Sequence, residues 1–281
     1  MRAGNSVDFS RCWEGRRAAL VTAHPGHELR IHHWLERAKP RVFVLTDGSG
    51  HTERSRLSQT MALLEATGAP PGAIFGRLTD RQLYRAILAL DADLFAALAQ
   101  ELAAAIEGAG IDYVVGDAVE GVNPGHDVCR LIINAAVMLL EAATGRRPAN
   151  FEFALEGPPD VCTPPDGDHA IVLRLNEDAY RRKLAAARAY AGVAVDVARL
   201  TGNHDVNAFR VECLVPVRYG FDIGDRFEHP AIYEAYGEKQ VAAGIYLETI
   251  RFRDHVAPVA ALLGAQSTKR LNREPAVPPT V

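Results

Sequence analysis

Two short histidine-containing segments are the residues of this chain best suited to chemistry. The first, Ala23-His24-Pro25-Gly26-His27-Glu28, follows an apolar, partly β-branched run, and the second, Asn123-Pro124-Gly125-His126, follows a strand-like run at 111–117. His24 and His27 are three residues apart, a spacing at which helical side chains are neighbours and can face one small object. Imidazole is a common ligand of divalent metals. The two segments together therefore predict a three-histidine metal site.

The elements that position these segments follow a strand–helix alternation. We predict strands at 17–23, 41–46 and 111–116, a helix at 25–38, and a long helix capped by Asp127 that reaches 143. This order is typical of a parallel sheet covered on both faces. Ligands of open α/β sheets bind at the carboxyl ends of the strands, where both histidine segments fall. We therefore expect an α/β fold, a three-layer Rossmann-like sandwich with a mostly parallel central sheet.

The second half of the chain is less regular, but it extends the same unit. Alternating apolar residues predict further strands near 150–155, 170–175 and 209–217, and Asn176 can cap a helix that runs through Leu200. No composition shift marks a linker. We predict one domain over 1–265 with a helical C-terminal part, a loose lead-in at 1–16 and a disordered tail at 266–281.

Composition narrows the class of protein. The 281 residues are 48% hydrophobic and 23% charged, which is ordinary for a soluble domain. The formal net charge of -4 argues against a nucleic-acid surface. No apolar run is long enough to span a membrane, and the N-terminal residues lack the pattern of a signal peptide. We expect a cytoplasmic protein with a small-molecule substrate, compatible with a homo-oligomer.

The cysteines support the same location. They show no paired spacing, so we interpret them as buried, reduced thiols and not as a disulfide framework. The four are Cys12, Cys129, Cys162 and Cys213.

The two histidine segments resemble the motifs of the PIG-L/LmbE-like deacetylases, zinc-dependent enzymes that remove an acyl group from N-acylglucosamine units and related amino sugars. That family has A-H-P-D-D-E after its first strand and H-P-D-H after a later strand, and segments 23–28 and 123–126 stand in those places. The turn at 46–50 and the Lys- and Ala-rich stretch at 183–200 look like further parts of the family pattern. The resemblance covers about residues 16–215 and implies the family's fold.

The resemblance also implies a set of metal ligands. Position by position, the family's ligands fall on His24, His27 and His126, with His27 replacing an aspartate. Zinc binds imidazole and carboxylate alike. The implied site is a neutral three-histidine set for zinc or another divalent metal, with open positions for water and substrate. The implied activity is hydrolysis of the amide of an N-acylated amino sugar or glycoconjugate.

Three departures from the family pattern bear on activity. Gly26 stands where the family has its general base, and Gly125 replaces the second motif's aspartate. Asn123 replaces a histidine thought to stabilise the oxyanion, although an amide can still donate a hydrogen bond to that oxygen. Hydroxide formation at a three-histidine zinc survives the loss of the base, but proton delivery to the leaving amine does not. Three carboxylates can replace the base, in this order: Asp47, Glu28 and Asp127.

The departures leave other functions open. The chain can retain the fold without the chemistry and bind a sugar or nucleotide-like ligand, because Gly26, Gly125 and Asn123 replace three functional residues at once. It can also keep the metal and hydrolyse an ester or an activated amide, whose leaving group needs less protonation. Without a metal, Asp47 is a turn former and His24 and His27 pack the first helix.

Overall fold

A computed structural model describes residues 6–8, 12–50, 53–203, 205–224 and 230–271. The strands are β1 (Ser6–Asp8), β2 (Ala18–Thr22), β3 (Arg41–Thr46), β4 (Pro71–Leu78), β5 (Tyr113–Asp117), β6 (Ala149–Phe153), β7 (Ala170–Arg174) and β8 (Val211–Pro216). The helices are α1 (His32–Ala38), α2 (Leu57–Thr67), α3 (Asp80–Leu88), α4 (Ala92–Gly108), α5 (Pro124–Thr144), α6 (Glu177–Ala189), α7 (Ala194–Asn203), α8 (Ile232–Ala242) and α9 (Ala257–Leu271).

The described strands form one eight-stranded sheet in the order β1-β7-β8-β6-β5-β2-β3-β4. Every pairing is parallel except those of β8, which runs antiparallel to both β6 and β7. At the centre, Leu20 of β2 pairs with Val42 of β3 and Val115 of β5. The predicted α/β class with a mostly parallel sheet is confirmed.

Alternate residues of the central strands enter two separate cores. Val21 of β2 and Val114 of β5 pack with apolar residues of α4, α5 and α9 on one face. Leu20 and Val115, their neighbours in the chain, pack on the other face with residues of α1 and α2, among them Trp34. Because side chains alternate between the faces of a strand, the continuous apolar runs of the sequence bury both faces. The result is the predicted three-layer sandwich.

The turn after β2 differs from the predicted helix at 25–38. Gly26 has φ +107°, outside the helical region, and a short 3-10 turn, His27–Ile31, precedes α1. Glycine adopts such a positive φ without the steric penalty of a Cβ. His24 and His27 therefore lie on a turn, not on one helical face.

Two further helices begin or end elsewhere than predicted. Asn123, not Asp127, caps α5, because its side chain accepts the N–H of Gly125 and Pro124 occupies the first turn. Asn176 caps α6 as predicted, but that helix ends at Ala189, and a 3-10 turn separates it from α7. The predicted single helix through Leu200 is wrong.

The chain ends also depart from expectation. Residues 6–8 form β1 within the predicted lead-in, paired with β7. Helix α9 continues to Leu271 and buries Ser267, so the predicted boundary at 265 falls inside a helix. The rest of the predicted tail, 272–281, lies outside the described residues, and a single domain over 1–265 stays a prediction.

The cysteine prediction is wrong for three of the four residues. Cys162 and Cys213 form a disulfide with a Cα–Cα distance of 5.7 Å. Cys12 is exposed, whereas Cys129 is a free, buried thiol as predicted. The two bonded cysteines are 51 residues apart, and only the packing of the 157–168 loop against β8 brings them together. Disulfides are rare in cytosolic proteins, so the cytoplasmic location stays a prediction. Among the described helices, none combines the length and apolarity needed to cross a bilayer.

Candidate active site

Three histidine rings meet at the carboxyl edge of the sheet. The ring centroids of His24 and His27 are 5.4 Å apart, those of His24 and His126 5.2 Å, and those of His27 and His126 4.5 Å. His24 and His27 follow β2, and His126 lies in the first turn of α5 after β5. Because β2 and β5 are parallel neighbours, two segments about a hundred residues apart in sequence end at the same place. The structure thus brings the three predicted ligands together.

The ring of His24 is held from one side by a carboxylate. Its Nδ1 lies 2.9 Å from Asp80 Oδ1 and 2.8 Å from Thr46 Oγ1. Burial, the largest single effect, tends to raise the pKa of Asp80, but the interactions with His24 and further hydrogen bonds together outweigh it, and the pKa falls well below the usual range. The opposite ring nitrogen, Nε2, is buried without a hydrogen-bond partner among the described residues. Such a nitrogen is costly unless something binds it.

His27 is held in the same way by a second carboxylate. Its Nδ1 lies 2.9 Å and 3.0 Å from the two oxygens of Asp117, which is fully buried at the end of β5. Asp117 Oδ2 also accepts the N–H of Ala23 at 2.8 Å. A carboxylate only accepts hydrogen bonds, so Nδ1 carries a proton, and in the neutral tautomer this leaves the lone pair on Nε2. This carboxylate–histidine arrangement is the usual support of a metal-bound imidazole.

His126 supplies the third ring in its neutral form. Burial lowers the pKa of His126 well below its usual value, and the neighbouring His27 and His24 add to the effect. Its Nδ1 is buried and has no hydrogen-bond partner in the described part of the chain. Neutral imidazole is the form that binds metals.

The distances between the rings favour a metal site, but the positions of the individual ligand atoms do not. Three imidazoles on one tetrahedral zinc, at a Zn–N distance of about 2.0–2.1 Å, have ring centroids roughly 5 Å apart, close to the separations seen here. As the side chains stand, however, no group of three or more His, Cys, Asp or Glu residues in the described ranges could hold a metal ion. The distances between ring centroids match those around a bound zinc ion, whereas the ligand atoms themselves do not form a complete coordination group.

Asn123 lies beside the rings and does two structural tasks. Its Oδ1 accepts the N–H of Gly125 at 2.7 Å, and its Nδ2 donates to the hydroxyl of Tyr84 at 3.1 Å. A Cβ at Gly125 would lie 3.0 Å from His24 Nε2 and 3.1 Å from Asn123 Oδ1. A side chain at this position would crowd both groups, so glycine lets the imidazole and the capping amide pack this closely against the start of α5.

Gly26 leaves no room for the family's general base. A Cβ at this position would lie 2.8 Å from Val193 Cγ1 and 3.6 Å from the ring of Tyr190. Both residues belong to the break between α6 and α7. Apolar atoms thus press against the backbone where the family motif carries a carboxylate.

The three carboxylates expected to replace that base all hold backbone groups. Asp47 Oδ1 accepts the N–H of Ser49 at 3.0 Å, the geometry of a turn former. Asp127 Oδ1 accepts N–H groups of the loop before α5. Asp47 follows Thr46, the partner of His24, so its loop borders the site, while its catalytic role stays a prediction.

Glu28, the second of these carboxylates, is buried below the turn. It accepts the N–H of Gly26 at 2.9 Å and the hydroxyl of Thr60 at 2.6 Å. Burial raises the pKa of Glu28, against the opposing effect of these hydrogen bonds. Its described contacts hold the shape of the turn.

Sequence reasoning did not select Asp80, Asp117 or Tyr84 as site residues. A signal existed for the two aspartates, since Asp117 ends a predicted strand and Asp80 follows the end of β4, where parallel sheets bind their ligands. For Tyr84, in the middle of α3, the sequence offers no such signal.

Comparisons with known proteins place the fold. No protein-family profile matches the chain, and no curated protein matches it. The solved A40926 pseudoaglycone deacetylase Dbv21 superposes with a TM-score of 0.51 at 21% identity, covering 72% of this chain and 98% of that one. Two structures of the deacetylase of teicoplanin biosynthesis, the bog complex and the zinc-inhibited form of Orf2, give TM-scores of 0.49 and 0.48 at 17% and 15% identity, with the same coverage. The chain therefore has the α/β fold of the deacetylase Dbv21, as the two motifs predict.

Proposed function

We propose that this chain is a metal-dependent hydrolase that removes an acyl group from an N-acylated amino sugar or glycoconjugate. The observation that carries the proposal is the meeting of His24, His27 and His126 at one strand edge, with buried carboxylates on two of the rings. The shared fold with a protein named a deacetylase supports the same class.

Zinc or a similar divalent ion is the cofactor that the donor set suits best. Three imidazoles with no thiolate match zinc and leave positions for water and substrate. Asp80 and Asp117 keep the Nδ1 atoms of His24 and His27 protonated, so both Nε2 atoms are available. When bound, such an ion lowers the pKa of a coordinated water and polarises a carbonyl. The buried Nε2 of His24 without a partner is the structural sign that a ligand belongs there.

The residues around the histidines are better suited to orienting the substrate's carbonyl group than to transferring protons. Asn123 lies next to the rings with an amide able to donate a hydrogen bond, as expected for a group near the reacting carbonyl oxygen. The base position at Gly26 is closed by Val193, so protonation of the leaving amine depends on another group. We propose Asp47 for this role because it directly follows Thr46, whose hydroxyl contacts His24. A weakly placed acid predicts slow turnover of ordinary amides, since such groups contribute about 10²–10⁴-fold.

A cavity that begins just past Asp117 is large enough for a sugar, and its lining contains none of the three histidines. Its volume is about 620 Å³, within the usual range for small-molecule sites. One wall, 118–120, directly follows Asp117, and the opposite wall is the loop that contains Thr163 and Pro164. Glu152 and Tyr219, hydrogen-bonded to one another, line the same space. Polar groups on an otherwise apolar wall suit a hydroxylated ring, and we propose this cavity as the substrate groove.

The test is acid release from a panel of N-acyl amino sugars, using chelator-treated protein with and without added zinc. We expect zinc-dependent release that His126→Ala abolishes. Turnover of an activated ester with inert N-acyl sugars would indicate the ester-hydrolase alternative. Zinc binding with no turnover of either substrate would contradict the hydrolase proposal and favour a binding protein.

A further inference from the structure

We propose that the hydroxyl of Tyr84, oriented by Asn123, is the hydrogen-bond donor to the substrate's carbonyl oxygen. This inference rests on the proposed function, and it assigns the task that the family pattern gives to a histidine at position 123. Three observations carry it: the direction of the Asn123–Tyr84 hydrogen bond, the position of both groups beside His24, and the place of Tyr84 on the helix whose Asp80 holds His24.

The direction of the hydrogen bond follows from the helix cap. Asn123 Oδ1 accepts the N–H of Gly125 at 2.7 Å, a group that can only donate. The amide orientation is thereby fixed, and Nδ2 faces Tyr84 at 3.1 Å, while the reverse bond from Tyr84 to Oδ1 is longer, at 3.4 Å. The Tyr84 oxygen accepts from the amide in the shorter bond, so its own proton is available to a further acceptor.

Tyr84 and Asn123 both lie close to the ring of His24. The ring of Tyr84 lies 6.4 Å from the ring of His24, measured between centroids. The point where a Gly125 Cβ would stand is 3.0 Å from His24 Nε2 and 3.1 Å from Asn123 Oδ1. His24 Nε2 therefore faces the first turn of α5, which Asn123 caps, and an acyl oxygen bound near this nitrogen would lie close to the Tyr84–Asn123 pair.

One helix supports both the histidine and the donor. Asp80 and Tyr84 are four residues apart on α3, so they share a face. Asp80 holds His24 Nδ1 at 2.9 Å, and the ring of Tyr84 stands edge-on to the same imidazole. A donor on the element that also fixes a proposed ligand keeps its position relative to the reacting centre, which is what an oxyanion donor requires.

The structural alternative is that Tyr84 only satisfies its hydroxyl, as buried tyrosines usually do. Tyr84→Phe separates the two cases because it removes one oxygen and keeps the ring. We expect kcat for an N-acyl amino sugar to fall about 10²–10³-fold, with a much smaller change in KM and unchanged zinc content. Tyr113→Phe is the matched control: it removes a buried hydroxyl bonded to Trp34 on the opposite core and should leave kcat unchanged.

Asn123→Ser tests whether the hydrogen bond from Asn123 to Tyr84 orients the hydroxyl. Serine caps a helix about as well as asparagine but cannot reach Tyr84, so kcat should fall, and the Tyr84→Phe, Asn123→Ser double variant should be no worse than the poorer single variant. Binding of acetate to the zinc-loaded protein, measured by calorimetry, gives a readout without turnover, and Tyr84→Phe should weaken it about 10-fold.

The outcomes separate this inference from the proposed function. If the unmodified protein turns over substrate and Tyr84→Phe matches it in kcat and acetate affinity, the donor role is wrong and the hydrolase proposal stands. If the unmodified protein neither turns over substrate nor binds acetate, both are wrong.

Discussion

Asp117 is the residue on which the geometry of the histidine cluster depends most. It is fully buried and holds two groups at once, His27 Nδ1 and the N–H of Ala23. Its carboxylate therefore fixes both a proposed ligand and the backbone just before His24. Removal of such a supporting carboxylate commonly lowers metal affinity 10- to 100-fold.

We predict that Asp117→Asn weakens zinc binding by about 10- to 100-fold while the protein stays folded, because the amide keeps the volume of the carboxylate. Competition with a zinc chelator measures the change. Asp112→Asn is the control, since Asp112 also accepts a backbone N–H, from Arg17, at an exposed site. Equal zinc affinities of the two variants would show that Asp117 does not support a metal ligand.

Gly26 gives a second prediction at the residue scale. Restoring the family's aspartate with Gly26→Asp should not restore a base, because φ is +107° and a Cβ would lie 2.8 Å from Val193 Cγ1. We expect a loss of about 2–4 kcal/mol in the free energy of unfolding, from the positive φ and the overpacking together. Denaturant unfolding gives the value.

Two further variants separate the contribution of the positive φ from that of the overpacking. Gly15→Ala, at φ +79° with nothing within 4 Å, isolates the backbone term and should cost about 1 kcal/mol. Val193→Ala in the Gly26→Asp protein should recover part of the loss. A stable Gly26→Asp protein with faster turnover would overturn this reading of the turn.

At the element scale, the loop 157–168 is tied down at two points. The Cys162–Cys213 disulfide joins it to β8, and Asp168 pairs with Arg218. Val161 and Thr163, which flank Cys162, line the proposed substrate groove. The disulfide therefore connects the stability of the fold with the shape of the cavity.

We predict that Cys162→Ser lowers the free energy of unfolding under oxidising conditions, by up to about 4 kcal/mol in the chain-entropy description of a loop closed over a 51-residue separation. A reductant should bring the unmodified protein to the same value, and KM should rise in both cases because the groove loses its wall. The exposed free thiol Cys12 gives the control, Cys12→Ser. Identical unfolding curves with and without reductant would contradict the link.

Some helix and strand boundaries could not be predicted from the sequence, because they depend on contacts between distant parts of the chain. The strand at 41–46 and the cap at Asn176 depend on local pattern, and both match the structure. The break between α6 and α7 at Tyr190 does not depend on local pattern. The hydroxyl of Tyr190 bonds to Thr60 and Val193 packs against Gly26, and both contacts are with distant parts of the chain. No local signal contradicts a continuous helix through such a stretch. The disulfide and the carboxylate partners of the histidines are non-local in the same way.

At the scale of the whole molecule, the order of the sheet creates the site. The two motifs and their resemblance to a known family select the three histidines, but the meeting of the rings depends on β2 lying beside β5, a pairing that no short segment encodes. The antiparallel β8 completes the sheet between β6 and β7. Its Glu212 is buried and pairs with Lys183 at 2.9 Å, next to His32.

We predict a histidine contribution to the pH dependence of stability. Burial lowers the pKa of His32, outweighing Glu36 and Glu212, while Lys183 and Arg182 add to the lowering. The unfolded state therefore binds the proton more readily, so this stability is complete above about pH 6.5 and is lost as the pH falls.

His32→Gln should flatten that decline by up to about 1.4 kcal/mol per pH unit. The measurement is the free energy of unfolding of chelated protein between about pH 7.5 and about pH 5.5. A decline as steep as in the unmodified protein would rule out His32 as its source.

The most direct test of the account is the metal content of protein purified without a metal-binding tag. We predict about one zinc or similar divalent ion per chain, retained in His33→Ala, whose ring pairs with Glu36 away from the cluster, and lost in His27→Ala and His126→Ala. A metal-free protein that also takes up no zinc when it is supplied would contradict the central claim, because the three rings would then be a packed cluster and not a catalytic centre.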